Sequence, residues 1–239
     1  MSYMSILPDP VNKIKDSGIQ DNAVGTAGAG FASLRLRSNF PTSSNRTNGG
    51  RVITRTMATQ YWELDIDYNP LERAEFEPVN SFIMSRQGRL NPFYVIMPQY
   101  SNPRNSTFAA YAAGNTVLST GITNGGAVKM TIDGFPDNSV GSPKPGDMFN
   151  IVDTFNSNHV KLYMITRCET SLDYDTVQPS TAQRIIHFTP SLTYTVPDNT
   201  TVRLVNPQLR GILKSDVQEY SLSVDNLYQY SLNIEEALP

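Results

Sequence analysis

Two histidines are the first residues to consider for chemistry, because imidazole groups act as general bases and as metal ligands. His159 opens an alternating segment, and His187 lies between two apolar residues. No serine sits in a glycine elbow and no His-x-x-x-His pair occurs, so neither a catalytic triad nor a zinc helix is indicated. We expect His187 to face away from the core or to bond a backbone carbonyl. Cys168 is the only cysteine, which excludes an intrachain disulfide and a cysteine-based zinc site and is typical of a reducing compartment.

Paired carboxylates are the second possibility, because two carboxylates on one strand face could serve a glycosidase. Asp65 and Asp67 have this spacing, but they alternate with apolar residues and are predicted to be the solvated edge of an amphipathic strand. Asp173 and Asp175 lie in a polar stretch where aspartate normally forms turns. The glycine-rich segment 25–30 lacks the context of a phosphate loop and is predicted to be a linker. We therefore predict no catalytic, cofactor-binding or metal-binding residue.

The position of the charges is more informative than their total. The net charge of −3 and the pI near 5.4 show no overall excess of positive charge of the kind that nucleic-acid-binding proteins carry. We therefore expect no specific nucleic acid as a partner. Residues 1–58 carry a net charge of +4 and residues 216–239 one of −5. In a ring, such ends would favour head-to-tail contact between copies. The predicted interface residues are Arg51, Arg55, Glu235 and Glu236.

Apolar runs are short throughout the sequence. The longest, such as residues 93–97, are far below the length of a membrane span. The first 25 residues contain no apolar stretch of the kind found in secretory signals. We expect no membrane partner and no classical secretion.

The elements that would carry these residues are mostly strands. Residues 51–68 alternate with a period of two, with Trp62 on the apolar parity, and predict a half-buried strand. Residues 71–87 change to helical spacing and predict the only clear helix, with Gly88 as its stop. Residues 91–98 read as a strand, and 218–238 as one or two long strands. Residues 1–50 are rich in breakers and predict an extended arm, apart from a possible strand at 31–40.

Short strands recur between turn signals from residue 108 to 207, after a polar loop at 99–107. This pattern predicts a small β-barrel inserted in the chain. The expected fold is therefore mainly β: an N-terminal arm over 1–50, a β-barrel or sandwich with one helix over 51–98 and 208–239, and the inserted barrel over 99–207. The predicted strands of the inserted barrel are 127–132, 148–152, 160–168, 184–188 and 202–204.

The order of three motif groups resembles the distal tail and baseplate hub proteins of tailed bacteriophages. The first group is a strand with Tyr61-Trp62-Glu63-Leu64, a helix with Val79-Asn80-Ser81-Phe82-Ile83, and then Gly88-Arg89-Leu90-Asn91-Pro92-Phe93-Tyr94-Val95. The second comprises Lys144-Pro145-Gly146-Asp147, His159-Val160-Lys161-Leu162-Tyr163 and Ile186-His187-Phe188-Thr189-Pro190-Ser191-Leu192. The third group comprises Tyr220-Ser221-Leu222-Ser223 and Glu236-Ala237-Leu238. Together the three groups cover residues 50–239.

This resemblance implies a tail-tube-like β fold and a structural, non-enzymatic protein of the virion. It implies a ring, usually sixfold, at the junction of the tail tube with the baseplate or tail tip, made in the host cytoplasm. The partners would be further copies of the chain, tail-tube proteins, and baseplate or tail-tip proteins. The arm before residue 50 departs from the compact start of the family and is expected to order on assembly.

Other classes of function remain open from the sequence. A carbohydrate-binding module could use exposed tyrosines as a sugar platform, from among Tyr100, Tyr111 and Tyr174. A hydrolase could use Asp65 and Asp67. Another virion site, such as a neck adaptor or a capsid decoration, would also suit a chain of this composition.

Overall fold

The computed structural model describes residues 4–56, 59–173 and 179–238, so Tyr174 and Asp175 lie outside the described residues. The fold is mainly β, with a half-barrel sheet and a closed six-stranded barrel, which confirms the predicted fold class. The chain divides into two units. One runs up to Val95 and includes Arg210–Ala237; the other is Ile96–Leu209 with Leu238.

Antiparallel strands dominate the first unit. Its main sheet has the order β1-β4-β14-β12-β5, with β13 added to one end of β14, while β2 and β3 form a separate hairpin. The strands are β1 (Phe31–Asn39), β2 (Thr42–Arg46), β3 (Val52–Thr56), β4 (Tyr61–Tyr68), β5 (Phe93–Ile96), β12 (Gln208–Leu213), β13 (Tyr220–Leu222) and β14 (Tyr228–Glu236), and the helix is α1 (Arg73–Ser85).

Alternation along β4 builds the core of this unit. Trp62, Leu64, Ile66 and Tyr68 are all buried, whereas the residues between them are half-buried or exposed. Trp62 is only 4% exposed, so the parity prediction for this residue is confirmed. The burial follows from the pleat, because successive side chains of a strand point to opposite faces of the sheet.

Helix α1 covers the core with the face predicted from its spacing. Phe76, Val79, Phe82 and Ile83 are buried along it. A capping box between Glu72 and Glu75 satisfies free N–H groups at its start. Beyond its end, Gly88 has a φ of +65°, and a Cβ there would lie 2.7 Å from a carboxylate oxygen of Asp216, so only glycine suits the turn.

The region predicted to be an arm is in large part built into the fold. Met4 and Leu7 are buried, and the backbone N–H of Leu7 donates to the carbonyl of Tyr94 in β5. Strand β1 pairs along its length with β4, from Phe31 opposite Tyr68 to Asn39 opposite Tyr61. The arm was predicted from the low apolar content of this region. A few buried apolar side chains and the β1–β4 ladder are sufficient to fix it to the rest of the unit, although it could not fold alone.

Within the same region, β2 and β3 stand out from the sheet. They pair only with each other among the described residues, and every described residue from 42 to 55 is exposed. This segment, residues 42–56, is called the basic hairpin below, because it carries Arg46, Arg51 and Arg55 and no acidic residue.

The second unit contains the closed barrel, in the order β10-β7-β6-β11-β8-β9. Aromatic and β-branched residues fill its interior, among them Phe149, Tyr163 and Phe188. Each predicted strand of the barrel is found within two residues of its predicted bounds. The elements are α2 (Ser106–Gly114), β6 (Leu118–Thr120), β7 (Lys129–Asp133), β8 (Met148–Val152), β9 (Leu162–Glu169), β10 (Arg184–Thr189) and β11 (Thr201–Arg203), with 3-10 turns at Pro98–Tyr100 and Asn138–Val140.

Helix α2 replaces part of the polar loop predicted at 99–107. Asn105 caps it by accepting a hydrogen bond from the backbone N–H of Phe108, and its interior is rich in alanine, the strongest helix former. Phe108 is completely buried and belongs to the barrel core. Across the residues described, no helix combines the length and apolar character needed to cross a bilayer.

Candidate interaction surface

The carboxylates that could have formed a catalytic pair lie on the outer face of the main sheet. Asp65 pairs with the Arg37 guanidinium, and Asp67 accepts a hydrogen bond from the Ser33 hydroxyl at 2.7 Å. Glu63, on the same face, lies 3.0 Å from the Lys214 ammonium and 3.8 Å from Arg37. These groups form a cross-strand network of ion pairs and hydrogen bonds, which stabilises a polar sheet surface.

The two histidines lie in the barrel unit and contact different partners. His159 is buried, its Nε2 lies 3.0 Å from the Tyr163 hydroxyl, and burial lowers its pKa to about 4, so it is neutral at pH 7. His187 is half-buried with its Nε2 2.7 Å from a carboxylate oxygen of Glu169. Ile186 and Phe188 on either side are buried, so His187 faces away from the barrel core, one of the two expected placements, and its partner is an acidic side chain.

The four predicted interface residues occupy two different environments. Arg51 and Arg55 are exposed on the basic hairpin, as an interface requires. Glu236 is buried, and its carboxylate accepts a hydrogen bond from the backbone N–H of Trp62 at 3.1 Å. Glu235 is half-buried on β14, opposite Glu63 of β4. Glu236 is therefore part of the fold, and the prediction that it presents charge to a neighbour is wrong.

The basic hairpin combines positive charge with exposed apolar residues. Val52 and Ile53 are 52% and 54% exposed, and Phe40 just before the hairpin is 51% exposed. A two-stranded ribbon with no third strand is marginally stable in water by itself. Such a surface is typical of β proteins that pair with other chains.

A second exposed surface lies along β13, which pairs only with the start of β14 among the described residues. Its apolar side chains Tyr220, Leu222 and Val224 are 55%, 53% and 101% exposed. Exposed carboxylates flank them at Glu219 and Asp225. We call these five residues the acidic edge.

A pocket of about 500 Å³ opens beside the acidic edge. Its walls include Asp67, Glu219, Tyr220, Tyr68 and Tyr230. The rings of Tyr68 and Tyr230 stack with centroids 5.9 Å apart. Both hydroxyl oxygens are buried and have no hydrogen-bond partner among the residues that the structure describes, and burial raises the pKa of both phenols, so they stay neutral. Tyr68 and Tyr230 share parity with the apolar residues of their strands, so their hydroxyls are on the core face, whereas Asp67 is on the outer face of β4.

The tyrosines considered for sugar binding are differently placed. Tyr111 is half-buried, its hydroxyl donates to the carbonyl of Gly134, and its ring lies 6.0 Å from that of Phe135. Tyr100 is half-buried in a 3-10 turn. Tyr111 therefore contributes to packing in the barrel unit and does not present a free platform. In residues 4–56, 59–173 and 179–238, no group of acidic, histidine and cysteine side chains has the arrangement of a metal site.

The half-barrel sheet, closed barrel and exposed edges are those of a β protein with surfaces suited to assembly, and the comparisons with known proteins agree. The family described as the N-terminal part of the A domain of distal tail protein pb9 matches residues 21–100, which contain β1 to β5 and α1. Distal tail protein pb9 of Escherichia phage T5 is 27% identical over 171 residues, which cover 69% of this chain and 70% of the relative. These matches confirm the resemblance to the distal tail proteins of tailed phages. They support a structural role in the phage tail.

Proposed function

We propose that this chain is a structural, non-enzymatic subunit of a ring in the virion, where the tail tube meets the baseplate or tail tip. The observation that carries the proposal is the similarity to distal tail protein pb9, which extends over about two thirds of both chains and covers elements of both units. A chain of this kind is made in the host cytoplasm and incorporated into the tail.

The ring would contain further copies of the chain, six in the usual arrangement of the family. Its neighbours would be the tail-tube protein on one side and baseplate or tail-tip proteins on the other. In this proposal residues 51–98 and 208–239 form the ring, and residues 99–207 are an insertion carried by it. Neither a cofactor nor a metal is required, because assembly depends on surfaces and not on a reaction.

The proposal is tested by imaging and weighing the purified full-length protein. Negative-stain micrographs and mass photometry should reveal closed rings, with a mass close to six chains. Gold-labelled antibodies against the chain should mark the distal end of the tail on intact particles. A protein that stays monomeric at every concentration, or a label on the capsid or neck, would contradict the assignment; binding of the monomer to immobilised glycans would favour a carbohydrate-binding module instead.

A further inference from the structure

We propose that the basic hairpin of one copy docks on the acidic edge of the next copy. This inference rests on the proposed ring and names the two surfaces that would close it. Both surfaces belong to the first unit, and each is exposed in the single chain.

One face of the hairpin presents an apolar side chain between two positively charged ones. In the ladder, Ile53 lies opposite Asn45 and Arg55 opposite Ser43, and alternation places Arg51, Ile53 and Arg55 on the same face. Arg46 lies opposite Val52 and is therefore on the other face. The second face carries a single arginine and one apolar residue, so single substitutions at Arg46 and Arg55 can be compared between the two faces.

The acidic edge presents complementary groups. Tyr220 and Leu222 share one parity of β13, and Glu219 and Asp225, at positions of the other parity, add negative charge on either side of them. Residues 215–226 contain no lysine or arginine, whereas the hairpin contains no acid. Docking would cover the exposed apolar side chains of both surfaces and bring opposite charges together, which favours encounter and fixes the register of the two strands.

Cross-linking between two different single-cysteine variants tests the contact directly. In a Cys168→Ser background, I53C protein is mixed with L222C protein and treated with a short bismaleimide. Because each chain carries one cysteine, a covalent heterodimer can arise only between copies. We expect the heterodimer with I53C and much less of it with V52C, which is equally exposed on the opposite face. No heterodimer, or equal yields from the two hairpin positions, would overturn the inference.

Charge variants test the pairing without a cross-linker. The variant R51E/R55E should raise the concentration needed for half-assembly about tenfold or more, since complementary charges act on encounter and each tenfold corresponds to 1.4 kcal/mol. R46E reverses one charge on the opposite face, so its matched partner is R55E alone, and R46E should weaken assembly much less than R55E. Adding E219R/D225R to R51E/R55E should restore part of the assembly. An equal loss of assembly for R46E and R55E would contradict the docking orientation.

These experiments separate the two proposals. Rings without the I53C–L222C cross-link would overturn the docking inference and leave the proposed ring protein standing. The cross-link without closed rings would support the docking and contradict the ring. A monomer with no cross-link would contradict both.

Discussion

The carboxylate of Glu236 accepts a hydrogen bond from the backbone N–H of Trp62, with 3.1 Å between oxygen and nitrogen. This contact joins the end of β14 to the start of β4, and both residues are buried. Glu236 has the same parity as Tyr230, Leu232 and Ile234, which face the core. The carboxylate thus closes the edge of the core and is not available to a neighbouring copy.

Glu236→Ala should therefore destabilise the single chain. The hydrogen bond to this charged acceptor is lost, and a hydrogen bond to a charged group contributes about 1.5 to 3 kcal/mol. Urea unfolding of the purified monomer measures this difference. Glu235→Ala, at the half-buried neighbouring position, is the control and should cost less; equal losses at the two positions would show that the hydrogen bond is not the cause.

Trp62→Ala should have a larger effect. The side chain is 4% exposed, and truncation of a buried tryptophan costs about 3 to 5 kcal/mol, from lost apolar burial and the cavity that remains. The same urea measurement applies. A loss below about 1 kcal/mol would be inconsistent with a packed core position.

The stability of the barrel unit should depend on pH through His159. Its pKa is lowered from 6.5 to about 4 in the fold, so between these values the unfolded chain binds a proton that the folded chain does not. Stability should be full above pH 6.5 and should fall as the pH is lowered towards 4. His159→Gln should flatten this part of the profile of unfolding free energy against pH, compared with the wild type. His187→Gln, at a half-buried position, is the comparison, and identical profiles for wild type and His159→Gln would contradict the assignment.

The basic hairpin should be dispensable for folding and required for assembly. Asn39 and Tyr61 lie opposite each other at the ends of β1 and β4, so a four-residue Gly-Ser loop can replace residues 41–58 without disturbing the ladder. Circular dichroism and the melting temperature of the single chain should stay close to those of the wild type, while rings are lost in mass photometry.

Deletion of residues 1–48 should behave differently. That truncation also removes the buried Met4 and Leu7 and the whole of β1, so we expect a large loss of stability. A truncated chain with wild-type melting behaviour would restore the interpretation of this region as a free arm.

Assembly should weaken as salt rises from about 0.05 to about 0.5 M, because the Debye length shrinks to a few ångströms and exposed pairs are screened. Each exposed pair contributes only about 0 to 1 kcal/mol, so the threshold concentration should shift while the fold persists. Mass photometry across a salt series gives the threshold. Assembly that is indifferent to salt would assign the contact to apolar surfaces alone.

Local patterns in the sequence were sufficient for much of this structure. The alternation around Trp62, the helical spacing of Phe82 and Ile83 and the recurrent short strands of the barrel depend on the residues near them in the chain. The half-buried strand, the helix and the barrel strands were predictable because burial of one face follows from a period of 2 or 3.6 residues. The resemblance to phage distal tail proteins likewise depended on the order of local motifs.

Contacts between distant residues were decided only by the tertiary structure. Arg184, completely buried, donates to the carbonyls of Asp137, Gly141, Thr181 and Gln183, and no pattern near it indicates that burial. Met4 and Leu7 are core residues because the chain brings them beside β5, and the rings of Tyr68 and Tyr230 stack because β4 and β14 are neighbours in the sheet. The arginines of the hairpin could be named from sequence, but their acidic counterpart could not. Strand pairing decides which carboxylates point to the core and which to water, and pairing between strands more than 150 residues apart leaves no periodic trace in the sequence.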